Sequence, residues 1–553
     1  MKRSSKALTA FFLAMSATIA AGEEAAPDIK TTALIGVTVI DGRGNPPLEN
    51  QTLIIEGERI KDLFTTGKGK VPGHATQVSL EGKYLLPGLI DSHVHLATDP
   101  ERGEDVQDVT PKLGRYLRGG VTAVRDMGGD TRVLAYLARQ ALIDKIDSPD
   151  IFYSTIIGGP EFFEDPRTVS SAKGFEAGTT AWMRAVTSES DLATLLSQAR
   201  GNGATGIKIY RNVPSDLMAP LAKEAARQGL KSWSHLDVDP APPQAVADAG
   251  VTAVSHAAYF LGRARGEQQR WKEEVIYNSE SIATAETRQL IDSLADNNVI
   301  LDATLVIFDR GARNTGEPHY INTQRAGVDF TRAAYAAGVR IAAGTDQGIN
   351  MLYPTPSIHD ELELLVEQAG LTPLDAVAAA TSHGAILLGK ENEFGAIEAG
   401  LKANLLVLNS NPLEDIGNSR DIAHVVKNGR FIYRGFEGMG LPFSDARVLG
   451  DQLLMSGQIG NIPGTFTLVK GGIAAETKQV LRNIESVLRN YGLSRKDVRK
   501  CTVMLADIDE WGEANTVYAN YFWEDPKPSR SAFAGSGLAL DARIEMECIA
   551  ELR

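Results

Sequence analysis

YLLPGLIDSHVHL, residues 84–96, is an apolar run that ends in two histidines two positions apart. A buried strand fits the run, and the period of two places His93 and His95 on one side of its C-terminal end. Working outward, seven more apolar or β-branched runs alternate with helix-like stretches: 121–127, 150–156, 205–210, 231–236, 251–257, 299–305 and 339–346. The pieces GGVTAVRD (119–126) and AGVTAVSH (249–256) echo each other, each running from a glycine that ends a helix into a strand. Eight such βα units predict an α/β fold, a TIM (β/α)8 barrel over residues 87–391, whose chemistry sits at the C-terminal strand ends.

The flanks read differently. Residues 28–86 and 392–436 alternate apolar and polar residues between Gly, Pro and Asn turns, as short antiparallel strands do. They are expected to pair into one small composite β-sandwich beside the barrel. After GFEGMG (435–440) a new α+β pattern fills 441–553. There Val480, Ile484, Val487, Leu488 and Tyr491 share one helix face, and KCTVMLA (500–506) and ARIEMECIA (542–550) supply strands. At the start, Lys2, Arg3 and Lys6 precede an apolar run from Ala7 to Ala21, shorter than the ~20 residues that span a bilayer. Residues 1–22 read as a secretory signal peptide, so the mature protein is expected to be periplasmic or secreted, with no membrane span.

Composition narrows the chemistry. Against 56 Lys and Arg stand 70 Asp and Glu, a net charge of −14 that disfavours nucleic acid and anionic lipid as partners. The two cysteines, Cys501 and Cys548, are too few for a disulfide framework or a Cys-rich metal site. Both fall in strands of the tail and read as buried thiols.

Of nine histidines, His235 and His256 also close predicted strands, the fifth and sixth, and Asp346 closes the eighth. Five nitrogen and oxygen donors around one barrel mouth are a metal-site pattern. Lys208 lies between isoleucines in GIKIY, where an inward ammonium is costly and its amine is made reactive by a depressed pKa. Captured carbon dioxide would turn it into a carbamate able to bridge two cations; the alternative is a lysine reaching solvent at the rim. Tyr210 points the same way as Lys208, either as a substrate hydrogen-bond donor or as an ordinary rim aromatic. His74, His383 and His424 read as packed or surface residues, and His319 and His359 lie in segments around strand eight.

At these residues the sequence resembles the amidohydrolase superfamily over roughly 30–436. LPGLIDSHVHL is similar to its strand-one motif, GIKIY to its strand-four lysine, and WSHL, VSHA and GTDQG to its further histidines and aspartate. GVTAVRDMGG, ATSHGAILLG and GAIEAGLKANLLVL are similar to the imidazolonepropionase-like and prolidase-like branch; Asn404 stands where that segment usually has Asp. The resemblance implies that His93, His95 and Asp346 hold one divalent ion and His235 and His256 a second, bridged by carbamylated Lys208. Zinc suits these donors, with Mn²⁺, Fe²⁺ and Ni²⁺ open alternatives. A hydroxide shared by two cations is the expected nucleophile, with Asp346 taking its proton and passing it to the leaving nitrogen.

The tail resembles a second family over roughly 441–553, the RidA enamine and imine deaminases, through MSGQIGNIPGT, GGIAAETKQVLRNIESVL, KCTVMLADIDEW, ANTVYANYF and KPSRSAF. Their α+β, chorismate-mutase-like fold is implied. So are roles for Arg530 as carboxylate binder, Glu545 as the residue that positions water, and Ser456 and Asn515 as pocket walls. The family's pocket tyrosine corresponds to Phe443, which lacks the hydroxyl.

Together these readings describe an exported metal-dependent hydrolase of small amides, dipeptides or cyclic amides, expected to assemble as a trimer or hexamer. Its rivals are a mononuclear hydrolytic deaminase without the bridging lysine and a non-catalytic binding or assembly scaffold. Specificity is expected from loops such as 262–285 and 309–325.

Overall fold

A computed structural model describes residues 30–96, 106–172, 174–262, 264–265, 273–274, 277–348, 356–432, 441–462, 466–491 and 493–552. The signal-peptide reading, the GFEGMG break and much of the 262–285 loop lie outside these residues.

All eight expected barrel strands are present: Leu89–His95, Val121–Asp126, Asp150–Gly158, Gly206–Ile209, Lys231–His235, Ala253–Ser255, Ile300–Asp302 and a split eighth, Ile341–Ala342 with Gln347–Gly348. They pair in parallel in chain order. The two halves of strand eight complete the circuit, because Ile341 pairs with Leu301 of strand seven and Gln347 with Val94 of strand one. Between them the helices bury one face against the strands; Thr131–Leu142, for instance, starts at Asp130, whose carboxylate accepts from the Arg132 N–H, and buries Leu134, Leu137 and Ala141.

Inside the barrel, Ile90, Ala123, Trp233, Ala253, Ile300 and Ala342 form an apolar cluster of their own. Strand one shifts register between Asp91 and Val94. That break lets Ile90 join the interior cluster while His93 and His95, on the other parity, also face inward.

The flanking segments meet in one eight-stranded sheet, in which Leu405–Leu408 runs antiparallel to Tyr84–Pro87 with Leu406 opposite Leu86. In the tail, helix Gly472–Arg489 lays Val480, Ile484, Val487 and Leu488 on a separate sheet. Asp147, fully buried on the barrel, joins the three units: it faces Arg430 of the first sheet at 2.8 Å and Arg489 of the tail helix at 3.4 Å.

Cys501 and Cys548 are bonded as a disulfide, not held as thiols. They sit directly opposite each other on the antiparallel strands Val498–Leu505 and Ile544–Glu551, a pairing that 47 residues of separation conceal in the sequence.

Candidate active site

The strand ends bring the predicted donors together. Asp346 Oδ1 lies 3.1 Å from His95 Nε2 and 3.4 Å from His93 Nε2, and Asp346 Oδ2 lies 3.9 Å from His256 Nδ1. The His256 ring is 4.9 Å from His93 and 4.7 Å from His235 between centroids. Lys208 is fully buried, and its charge bears on His93, His95 and His256. Tyr210 closes the rim, its ring 4.1 Å from that of His235 and stacked on Phe162 at 4.6 Å. Local backbone is held in an uncommon form to achieve this: His256, Thr304 and Asp346 all have positive φ, of 69°, 53° and 51°. Such non-glycine conformations cost energy and persist where the surrounding packing enforces them.

Electrostatics sharpen the picture. Burial, with the nearby Lys208 charge, holds the His93 and His256 protons off, so both pKa values lie well below that of free imidazole. For His95 burial pulls the same way, but the Asp346 hydrogen bond and charge win and raise it. Burial would raise Asp346; His93, His256 and His95 outweigh it and hold the carboxylate ionised far below its ordinary range. Neutral imidazoles around an ionised carboxylate are a donor set that suits a borderline divalent cation. Among the described residues, donor atoms of His93, His256 and Asp346 all lie within 4.8 Å of one another.

Three supporting residues escaped the sequence reading. Asp302, at the end of strand seven, accepts from His93 Nδ1 at 2.7 Å, Arg125 Nη2 at 2.7 Å and Ser255 Oγ at 2.9 Å. Its hold on Nδ1–H leaves the His93 Nε2 lone pair facing Asp346. Arg125 is itself fully buried, donates to the Ser92 carbonyl and lies over the Trp233 ring at 5.0 Å. Thr304 Oγ donates to the Ala303 carbonyl and so accepts from His256 Nδ1, at 2.9 Å. The available signal was a lone acid inside VILDATL and a lone arginine inside VTAVRDM, each among residues that pack in a core.

The other histidines stand elsewhere. His359 is buried between Ser419 and the Gly119 carbonyl, His383 donates to the Ile341 carbonyl, His74 meets Thr31 and His319 meets Glu317.

The tail residues are not gathered in the same way. Arg530 Nη1 donates to Asn515 at 2.7 Å and its guanidinium lies over Trp511 and Tyr518 at 4.4 and 4.7 Å, all on helix Trp511–Tyr521. Arg530 is in register with Cys501 and Glu545 with Met504, three residues along the shared central strand, so the two side chains leave opposite faces of the sheet. Glu545 packs against Gly457, where a Cβ would fall 1.9 Å from its carboxylate, and burial raises its pKa. Ser456 donates to the Ser444 carbonyl at 2.6 Å, and Phe443 is about half exposed.

Residues 84–432, more than half of the chain, match the family model described as "Amidohydrolase family". The chain belongs to the amidohydrolase family. This amidohydrolase is therefore a hydrolase acting on C–N bonds. Its barrel and flanking sheet have the fold of a putative prolidase from Bifidobacterium longum (TM-score 0.57, 24% identity, 73% of this chain and 95% of the other). The fold is also that of an A. niger ochratoxinase (TM-score 0.58, 20% identity, 75% and 97%). Residues 439–552 match the model described as "Endoribonuclease L-PSP". Over 109 residues, 20% of the chain, the tail is 43% identical to a RutC family protein of Pyrococcus abyssi, covering 85% of it. It is 38% identical over 109 residues to the human 2-iminobutanoate/2-iminopropanoate deaminase, covering 79% of that protein. The tail is a second family module carried by the amidohydrolase.

Proposed function

We propose that the protein is an exported, metal-dependent hydrolase of amide, dipeptide or cyclic-amide bonds in small substrates. The observation that carries this is the meeting of His93, His95, His235, His256 and Asp346 around buried Lys208 at one barrel mouth. His93, His95 and Asp346 would hold one divalent ion, His235 and His256 a second, and carbamylated Lys208 would bridge them. A carbamate replaces the ammonium, whose charge in that position opposes cations, with two oxygen donors. Bound ions would supply Lewis acidity and lower the pKa of a water molecule. Asp346, held ionised, accepts the proton of the attacking water at its carboxylate and returns it to the leaving nitrogen. Tyr210 donates to a substrate oxygen at the rim. Metal content per chain, measured with and without Lys208→Ala, tests the reading: two ions falling to one or none supports it, and one ion indifferent to the substitution favours a mononuclear deaminase.

The names of the tail's relatives support imine hydrolysis there, with Arg530 binding the carboxylate and Glu545 positioning water. Because Arg530 and Glu545 lie on opposite faces in one chain, we place the working tail site between copies, in a trimer or hexamer. A cyclic substrate opened in the barrel would deliver an enamine or imine acid to it. The Cys501–Cys548 disulfide supports an oxidising, periplasmic or extracellular location.

A further inference from the structure

The segment after strand three, residues 159–172 and 174–186, folds back over the barrel mouth as the turn Pro160–Glu164, helix Pro166–Ser171 and strand Met183–Ala185. Beneath it lies a cavity of about 290 Å³. Ile156, Phe162, Trp182, Met183 and Tyr210 form its apolar walls, and His95 stands at its inner end. The register across the sheet fixes where it lies relative to Lys208. Lys208 pairs with Ile156, and Ile156 pairs with Met183. Ile156 and Met183 are therefore one and two strand spacings, about 5 and 10 Å, to the side of the lysine. The Tyr210 ring, stacked on Phe162 and tilted against His235, lines the same route.

Gly128 keeps the passage open. A Cβ there would stand 3.0 Å from Ile156 and 3.6 Å from His95, in the gap between site and cavity. The outer edge is polar but internally neutralised: Asp130 and Asp165 each start a helix and each pair with an arginine two residues on, Arg132 and Arg167. Arg132 is further held over Trp182 at 4.4 Å. With its edge charges already matched, the cavity offers a ligand apolar surface and aromatic faces.

We propose that this cavity is the specificity subsite of the hydrolase and that the preferred substrate carries an aromatic ring within 5 to 10 Å of the scissile C–N bond. The proposal rests on the hydrolase reading for its chemistry, and the test separates the two. The full chain, loaded with zinc, is titrated calorimetrically with 3-phenylpropanoate and with propanoate, neither of which has a C–N bond to cleave. It is then assayed on N-acetylglycine, N-acetylphenylalanine and N-(phenylacetyl)glycine. The phenyl probe should bind about tenfold tighter or more, in line with burial of one ring. One phenyl-bearing amide should exceed N-acetylglycine in kcat/KM by a similar factor. Trp182→Ala, which strips a wall, and Ser171→Trp, which fills the half-exposed mouth without touching the core, should each bring both ratios toward one. Ratios that stay high in folded Ser171→Trp overturn the subsite. Hydrolysis without phenyl preference also overturns it and leaves the hydrolase standing. Phenyl-selective binding lost in both variants, with no amide cleaved, upholds the subsite and overturns the simple-amide part of the proposed function.

Discussion

The barrel and the tail each present a constellation of polar residues, and they are built in opposite ways. In the barrel, eight strands aim their ends at one point, and His93, His256, Lys208 and Asp302 are all buried there. In the tail, Arg530 projects from an exposed edge strand, Ser529–Ala534, and Glu545 leaves the other face of the sheet. A closed barrel can complete a site within one chain because its topology forces convergence. An open sheet sends alternate residues to opposite faces, so the proposed tail site would need a second copy to bring Glu545 to Arg530.

The sharpest way to break this contrast is to damage the barrel and watch the tail. Lys208→Ala should lower amide hydrolysis about a thousandfold. Imine hydrolysis at the tail should be unchanged, as read by ammonia release from an imino acid generated in situ. Next in size, Asp302→Asn leaves Arg125 as an unbalanced buried charge and weakens the hold on His93. A loss of roughly 3–5 kcal/mol in thermal or denaturant unfolding is expected, with metal affinity falling about 10–100-fold. Removing the disulfide with Cys501→Ala and Cys548→Ala should destabilise the tail by about 2–4 kcal/mol, with amide hydrolysis retained, as separate calorimetric transitions would show. Arg530→Ala should lower imine hydrolysis about tenfold or more through loss of a charge-assisted carboxylate contact. Metal content should not move.

The smallest effect is in pH dependence. Glu361 is fully buried and accepts from the Leu305 and Val306 N–H groups at the start of helix Leu305–Thr315, beside Thr304 and hence His256. Burial raises its pKa to about 8, with those two N–H groups opposing the rise. A carboxyl raised in the folded state binds more protons there than when unfolded. Its stabilising contribution is thus complete below the ordinary glutamate range and is lost as pH climbs through about 8. Wild-type Tm should fall by a few degrees more than that of Glu361→Gln between pH 5 and pH 8, in parallel melts.

How far the sequence discloses all this depends on whether neighbours in space are also patterned along the chain. The eight strands are legible because each is an apolar run between helical stretches, and His93, His95, His235, His256 and Asp346 stand out as polar caps on those runs. Asp302 and Arg125 do not, because their roles depend on facing each other across the barrel through pairings that only the closed sheet makes. The specificity loop expected at 309–325 is instead formed by the helices Leu305–Thr315 and Pro318–Ala336, whereas Phe162, Trp182 and Met183 join Ile156 and Tyr210 only once the chain after strand three folds back. The cysteine pair is hidden for the same reason, since strand register and not spacing sets it opposite.

The flanking sheet also carries a cost in time. Leu86 must find Leu406, about 320 residues later. At the usual 5–20 residues per second, synthesis leaves the N-terminal strands waiting roughly 15–60 s for their partner. Throughout that interval, Leu34, Val37, Leu53 and Leu85, which end fully buried, have no cover from Leu405 and Val407. Until those last flanking strands arrive, the early hairpins keep an apolar face uncovered, and that face is where the chain is most open to wrong contacts.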